Sequence, residues 1–354
     1  MSGPAVSIVI IGRNEGERLT RCLQSVAAIN PPAGGVEVIY VDSASTDGSP
    51  QRAAALGARV LTVRPARPCA AVGRNAGWRS ARAPIVMFVD GDTLLAADFV
   101  AASLSDFADP RLAVVWGHRR ELAAHDSIFN RVLDLDWIYP PGVSEFCGGD
   151  ALMRRTVLQE VGGFDERLIA GEEPEMCQRI RAHGYRILHV DRPMTGHDLA
   201  MTRWSQYWRR ALRAGYAYAE VSDRFGADGT NLWRAEARRN RVHGAMLLAV
   251  AAGAPAASLA MRSMAPIAAA AAIVVVLALR TAQRVRWKSP DFTTRLLYGL
   301  HSHLQQIPIL FGQLRYWRDR RAGRIASLIE YKDGGREPGG AAPAGQPLSR
   351  SGRG

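Results

Sequence analysis

Cysteine is scarce in this 354-residue chain and never closely spaced. Cys22, Cys69, Cys147 and Cys177 are scattered with no C-x-x-C pair, which argues against a zinc site and a disulfide framework and fits a reducing compartment. Lysine is also thin, and Arg supplies most of the formal net charge of +12. The apolar run in "MSGPAVSIVII" has no basic leader ahead of it, so it reads as a first strand rather than a signal peptide. Long hydrophobic runs are missing too. The uncharged stretches 244–261 and 263–279 each fall a little short of the roughly 20 residues that span a bilayer.

The length that remains suits one catalytic domain of about 200–250 residues with an appendage. Between residues 6 and 115, β-rich runs ("VSIVII", "VEVIYV", "RVLTV", "PIVMFV") alternate with helical stretches, including one around "GRNAGWRSA". That rhythm predicts an α/β fold with a mostly parallel, doubly wound sheet. A mixed segment follows to about residue 200, and residues 201–221 form a basic, aromatic-rich helix suited to a membrane surface, with Trp204 and Trp208 as anchors. The two uncharged runs are flanked by "RRNRVH" and "RTAQRVRWK", whereas Arg262 alone lies between them. By the positive-inside rule, a helical hairpin over 244–279 keeps both ends in the cytoplasm; the competing reading is a pair of buried core or interfacial helices. Residues of about 292–320 suit an interfacial helix with Tyr, Trp and Arg at the headgroups, and 333–354 a disordered tail. The expected division is therefore 1–220 catalytic, 221–332 membrane-associated, and then the tail.

Four acidic clusters occur in order along the first half: Asn14-Glu15, Asp42, Asp90-Gly91-Asp92 and Glu172-Glu173. The first three stand where apolar strand-like runs end, the edge at which open α/β sheets bind ligands. Asp90 and Asp92 offer hard oxygens suited to Mg²⁺ or Mn²⁺ held together with substrate phosphates. Asp42 suits a base N–H or a ribose hydroxyl, and Glu15 either the nucleoside or merely a helix N-terminus. Asp47 reads as a turn or cap residue. Gly73-Arg74-Asn75-Ala76-Gly77 suggests a permissive turn presenting a guanidinium to a phosphate or base edge. Of the adjacent Glu172 and Glu173, mutual repulsion and partial burial raise one pKa, which suits a general base.

The ordered set "VSIVIIGRNE", "VDSASTDGS", "GRNAG", "VDGDT", "CGGDALMRR", "GGFDERL" and "GEEPEMCQRIRAHGYRI" resembles the family 2 glycosyltransferases of GT-A (Rossmann-like) fold over roughly the first 200 residues. The resemblance implies inverting transfer from a nucleotide diphosphate sugar, commonly UDP-linked. It assigns Ile11, Glu15, Asp42 and Arg74 to the nucleotide, Asp90 to the ribose or metal, and Asp92 to the metal. Gly148, Gly149 and Asp150 would form the floor for sugar and acceptor. Glu173 would be the base, at a position where the family usually has Asp, and His197 a third metal ligand. Gln206-Tyr207-Trp208-Arg209-Arg210 looks like the Q-x-x-R-W acceptor motif of processive synthases, with Arg210 where Trp would stand.

The expected protein is thus a glycosyltransferase on the cytoplasmic side of the inner (plasma) membrane, in contact with its lipids, with a lipid-linked or envelope-glycan acceptor. A processive synthase would need more spanning helices, and a silent nucleotide-sugar-binding scaffold would not need to keep both metal aspartates and a base. Nucleic acid is disfavoured as a partner, because the arginines gather around the hairpin and the aromatic helix.

Overall fold

The run "VSIVII" becomes β1 (Val6–Gly12), with Val6, Ile8, Val9 and Ile10 wholly buried. Burial of consecutive residues is what a strand covered on both faces requires. The computed structural model describes residues 3–65, 69–226 and 230–324; the tail expected at 333–354 lies outside the described residues. After β1 come α1 (Glu17–Ala27), β2 (Val36–Asp42), α2 (Ser49–Ala55), β3 (Arg59–Thr62), α3 (Ala70–Ser80) and β4 (Ile85–Asp90). The middle of the chain adds β5 (Thr93–Leu95), α4 (Phe99–Ser103), β6 (Leu112–Glu121), α5 (Ile128–Asp134), β7 (Gly142–Ser144), β8 (Ala151–Arg154) and α6 (Arg155–Val161). Next are α7 (Glu172–Ala182), β9 (Arg186–His197) and five long helices: α8 (Trp204–Arg224), α9 (Arg234–Met261), α10 (Ala265–Arg284), α11 (Phe292–Leu304) and α12 (Gln306–Arg321).

The strands form one sheet in the order β3-β2-β1-β4-β8-β6-β9-β5, with β7 paired to β9. The part that the alternating rhythm foretold, β3 to β4, is parallel throughout. Beyond it β8 runs antiparallel to both β4 and β6, so the whole sheet is mixed. Gly77 lets α3 lie against β1, where an added Cβ would fall 2.1 Å from Val9 Cγ1. The expected Gly-Arg-Asn-Ala-Gly turn is therefore a stretch of helix, its glycines serving close packing rather than chain reversal.

The C-terminal helices depart from expectation in two ways. The single interfacial helix of 292–320 is two helices, breaking at Gln305. The second, α12, packs along α8, so its Tyr316 is buried against Tyr216 and donates to Asp223 Oδ2 (2.6 Å) instead of facing headgroups. Helix α8 runs through residue 220 and packs along α12 in a shared helical layer. The contact is backbone to backbone: an added Cβ on Gly312 would lie 2.1 Å from the Leu212 carbonyl oxygen, and one on Gly215 2.0 Å from that of Ile309.

By length and composition α9 and α10 can each cross a membrane, and only 11% of each apolar window is buried within this chain, which speaks against two core helices. Pro266 sits in the first turn of α10, where its missing N–H costs nothing. All four cysteines are buried.

Replacing Gly312 with Val forces the α8–α12 backbones apart. The expected result is a loss of about 1–3 kcal/mol, as for other overpacked contacts, read as a lower melting temperature of detergent-purified protein, with no such change for Gly253→Val, which meets open space.

Candidate active site

Strand register brings the scattered acidic residues together. β1 is flanked by β2 and β4, with Gly12 opposite Asp42 and Ile11 opposite Asp90, so three strand ends share one edge. Thr93 of β5 stands opposite His197 of β9, which carries the imidazole to Asp92 across more than a hundred residues of sequence. Two loops at this edge are stapled together. Asn14, at φ 55°, donates its N–H to Ser45 Oγ (2.9 Å) and accepts from Thr46 N (2.8 Å), while Asp47 Oδ2 accepts from Gly16 N (2.9 Å). Asp47 also accepts from Ser49 N at the start of α2 (3.0 Å), the turn role expected of it.

At the centre lies Arg74, 3% exposed, on α3. Its Nη1 donates to Glu172 Oε1 and to Glu173 Oε1, and its Nη2 to Asp90 Oδ1, each at 3.0 Å. Burial works against the guanidinium's charge, but Glu173, Asp90 and Glu172 together hold its pKa above the ordinary value. The guanidinium expected at a phosphate or base edge thus engages three carboxylates. Gly149 packs on the same cluster, since a Cβ there would meet Arg74 Nη2 at 2.3 Å.

Glu172 and Glu173 open α7 on Gly171, which takes φ 90°. They divide the work unevenly. Glu172 is buried, and burial first, then the neighbouring Glu173 carboxylate, push its pKa up to about 7, with Arg74 pulling the other way. Glu173 stays partly open, its side chain 19% exposed. Both carboxylates thus pair with Arg74, Glu172 from a buried position and Glu173 as the more open of the two.

Asp90, Asp92 and His197 form the group among the described residues able to hold a metal ion, with ligand atoms all within 4.8 Å of one another. His197 Nε2 lies 3.3 Å from Asp92 Oδ1, while its Nδ1 is buried without a hydrogen-bond partner. Burial, then the charge of Arg119, lowers the His197 pKa to about 3, so the ring is neutral at pH 7, the form that binds metal. Two carboxylates and one neutral imidazole are a donor set that fits Mn²⁺, and Mg²⁺ less well because of the nitrogen.

Asp150 lies under this group rather than on the floor of an open pocket. It is fully buried and accepts from Asp90 N (3.1 Å), Arg119 Nη2 (2.8 Å) and Thr195 Oγ1 (3.0 Å). Its Oδ1 holds the backbone N–H of Asp90, and Gly148 lies beside Arg119, where an added Cβ would be in ordinary contact with Nη2 at 3.4 Å. Asp42 is also buried, accepting from Tyr40 OH (3.1 Å) and Ser45 N (2.9 Å), and Glu15 is paired with Arg18 (3.0 Å). Ile11 closes the edge beside them, against Gly73. Gln206 caps α8, its Oε1 accepting from Thr202 N and Arg203 N (3.0 Å each). Arg209 is exposed on that helix.

Sequence reasoning missed Arg119 and Trp137. Arg119 follows an apolar run, the same strand-end signal that marked the aspartates. The β6–β9 ladder slips on either side of His118, and such bulges re-aim a side chain. Trp137, whose ring centroid is 5.1 Å from that of His197, has no sequence signal.

A family model described as Glycosyl transferase family 2 matches residues 7–162, and one described as Glycosyl transferase family group 2 matches residues 85–282, more than half of the chain. The chain belongs to the family 2 glycosyltransferases. Among its relatives, a Pre-mycofactocin glycosyltransferase of Mycobacterium tuberculosis is 26% identical over 61% of this chain and 48% of its own length. Glycosyltransferase AglE of Haloferax volcanii is 24% identical over 51% of this chain and 63% of its own. The glycosyltransferase thus spans about half the length of the mycobacterial relative. The solved structure of mannosyltransferase PcManGT from Pyrobaculum calidifontis, in complex with GDP-Man and Mn²⁺, superposes with a TM-score of 0.62 at 22% identity, covering 90% of this chain and 89% of that one. That likeness shows a shared GT-A fold.

The Glu172 pKa gives this glycosyltransferase a pH signature. A carboxyl at about 7 when folded and about 4.5 when unfolded binds the extra proton in the folded state. Its stabilising contribution is complete below about 4.5 and is lost as pH rises through about 7. In Glu172→Gln this dependence disappears, so the melting temperature of the parent falls relative to that of the variant across that window.

Proposed function

We propose that the chain transfers a sugar, with inversion, from a nucleoside diphosphate sugar to an acceptor hydroxyl presented at the cytoplasmic face of a membrane. The observation that carries this reading is the meeting of Asp90, Asp92 and His197 with a reachable Glu173, which Arg74 joins to Asp90. Arg74 takes Glu173 Oε1 and leaves Oε2 to the substrate. Glu173 removes the acceptor's proton as the hydroxyl oxygen bonds to the anomeric carbon. The carbon–oxygen bond to the diphosphate breaks in the same displacement, and its electron pair leaves with the phosphate oxygen. Asp90, Asp92 and His197 would hold Mn²⁺ or Mg²⁺, which offsets the charge of the departing diphosphate. Asp42 and Glu15 lie at the nucleotide edge, beside Ile11.

The exposed apolar windows of α9 and α10 support the membrane side of the proposal. Arg238, Arg239 and Arg241 lie before the hairpin core and Arg280, Arg284 and Arg286 after it, which by the positive-inside rule supports a cytoplasmic catalytic domain. A lipid-linked or envelope-glycan acceptor follows from that location. The donor base is open between uridine, usual in the family resemblance, and guanine, carried by the mannose donor bound to the Pyrobaculum protein.

Calorimetry on detergent-purified protein with UDP-, GDP- and dTDP-sugars, with and without Mn²⁺, tests the reading. One donor is expected to bind only with metal and to lose that binding in Asp92→Ala; metal-independent binding would overturn the metal assignment. Glu173→Gln is expected to bind the donor normally while transfer falls by about 10²–10⁴-fold. Near-normal turnover in that variant would remove Glu173 as the base.

A further inference from the structure

The structure ties the helices that follow the apolar hairpin to the wall of the metal group through three consecutive residues. A short 3₁₀ turn, Leu135–Trp137, ends α5 and runs between the two. On one side the C-terminal segment grips it. Lys288 Nζ donates to the Leu135 carbonyl (2.7 Å), Tyr298 OH donates to Asp136 Oδ1 (2.9 Å), and His301 Nε2 lies 3.5 Å from Asp136 Oδ2. Arg210 of α8, the residue that breaks the Q-x-x-R-W pattern, reaches the same carboxylate at 4.0 Å, and Tyr207 OH is 2.7 Å from His301 Nδ1. On the other side, the next residue meets the site. The Trp137 ring lies against His197, and the Arg119 guanidinium stands 5.4 Å from its centroid while bonded to Asp150. α11 is itself seated on the hairpin, since a Cβ on Gly299 would lie 2.3 Å from the Ala278 carbonyl oxygen of α10.

We propose that Asp136 is a positioning residue: held by Tyr298, His301 and Arg210, it sets Trp137 against His197, so that the metal group takes its working shape only when the segment after the hairpin is docked. This rests on the metal-binding reading above. The contacts are specific for such a role. Asp136 is a carboxylate with three separate partners from two helices, and one peptide unit separates it from the ring that covers His197. Groups that orient a metal ligand from behind typically change metal affinity about 10–100-fold when altered.

The test uses full-length protein in detergent, labelled with 5-fluorotryptophan. The sequence has eight tryptophans, and Trp137→Phe assigns the relevant ¹⁹F line by its loss. Titration with Mn²⁺ alone is expected to broaden the Trp137 line ahead of the others, because its ring neighbours a ligand. In Asp136→Asn and Tyr298→Phe, that line should move and the Mn²⁺ concentration that half-broadens it should rise about tenfold. Tyr316→Phe, which removes a comparable bond to Asp223 on α12, should change neither and so excludes general loosening. An unmoved line with an unchanged Mn²⁺ midpoint in Asp136→Asn overturns the coupling while leaving the metal reading intact. If Mn²⁺ broadens no tryptophan line in the parent, the metal reading fails, and with it the proposed shaping of the metal group, whether or not the line moves in Asp136→Asn.

Discussion

One buried guanidinium organises the catalytic half of the molecule. Arg74 gathers Asp90 from a strand end and Glu172 and Glu173 from a helix start, and each of those elements takes its position at the site by meeting it. A cation there is tolerable only because three carboxylates compensate its desolvation, and the same carboxylates would repel one another without it. Removing one member of such a buried network usually costs about 3–5 kcal/mol, because the remaining charges are left uncompensated. Asp150 repeats the arrangement one layer down, where Arg119 balances its charge and Asp90 N fixes it in register. The site is thus two nested ion clusters, the upper one partly open and the lower one sealed.

The distribution of what was legible in the chain follows from this. Strand ends are local features, so Asp42, Asp90 and Asp92 could be placed from apolar runs followed by acids. The meeting of His197 with Asp92 is non-local and became visible only through the resemblance, then through the pairing of β5 with β9. The partners of Arg74 were not legible, since a guanidinium between glycines looks permissive and exposed while the glycines in fact press α3 onto the sheet. Nor was the local bonding of Gln206, a side chain in an acceptor-like motif that also accepts from two backbone N–H groups at a helix start. Trp137 carried no signal at all, because an aromatic at the end of an unremarkable helical stretch is indistinguishable from core.

The helical half obeys a different rule. α8 and α12 meet through paired glycines, and α10 and α11 through Gly299, so backbone proximity rather than side-chain volume sets their spacing. Small residues at crossings are the means by which helices pack when apolar surroundings give little reward for burying side chains. The polar contacts that tie this half to the catalytic domain are concentrated around Asp136, with Tyr316–Asp223 and Arg320–Asp223 securing α12 to α8 at the other end. The unclad faces of α9 and α10 stand apart from both sets of contacts.

The separation in sequence between Arg74 and its partners has a consequence during synthesis. Its contact with Glu172 closes a loop of 98 residues, and that with Glu173 one of 99. While the ribosome is still producing the intervening strands, β1 to β4 can pair, but Arg74 has only Asp90 to meet. For the several seconds that about 80 residues take to emerge at roughly 5–20 residues per second, the nascent domain therefore holds a half-compensated cation against its sheet. Water must reach that cation until α7 arrives, so a helix made well after the first four strands is the one that dries their edge.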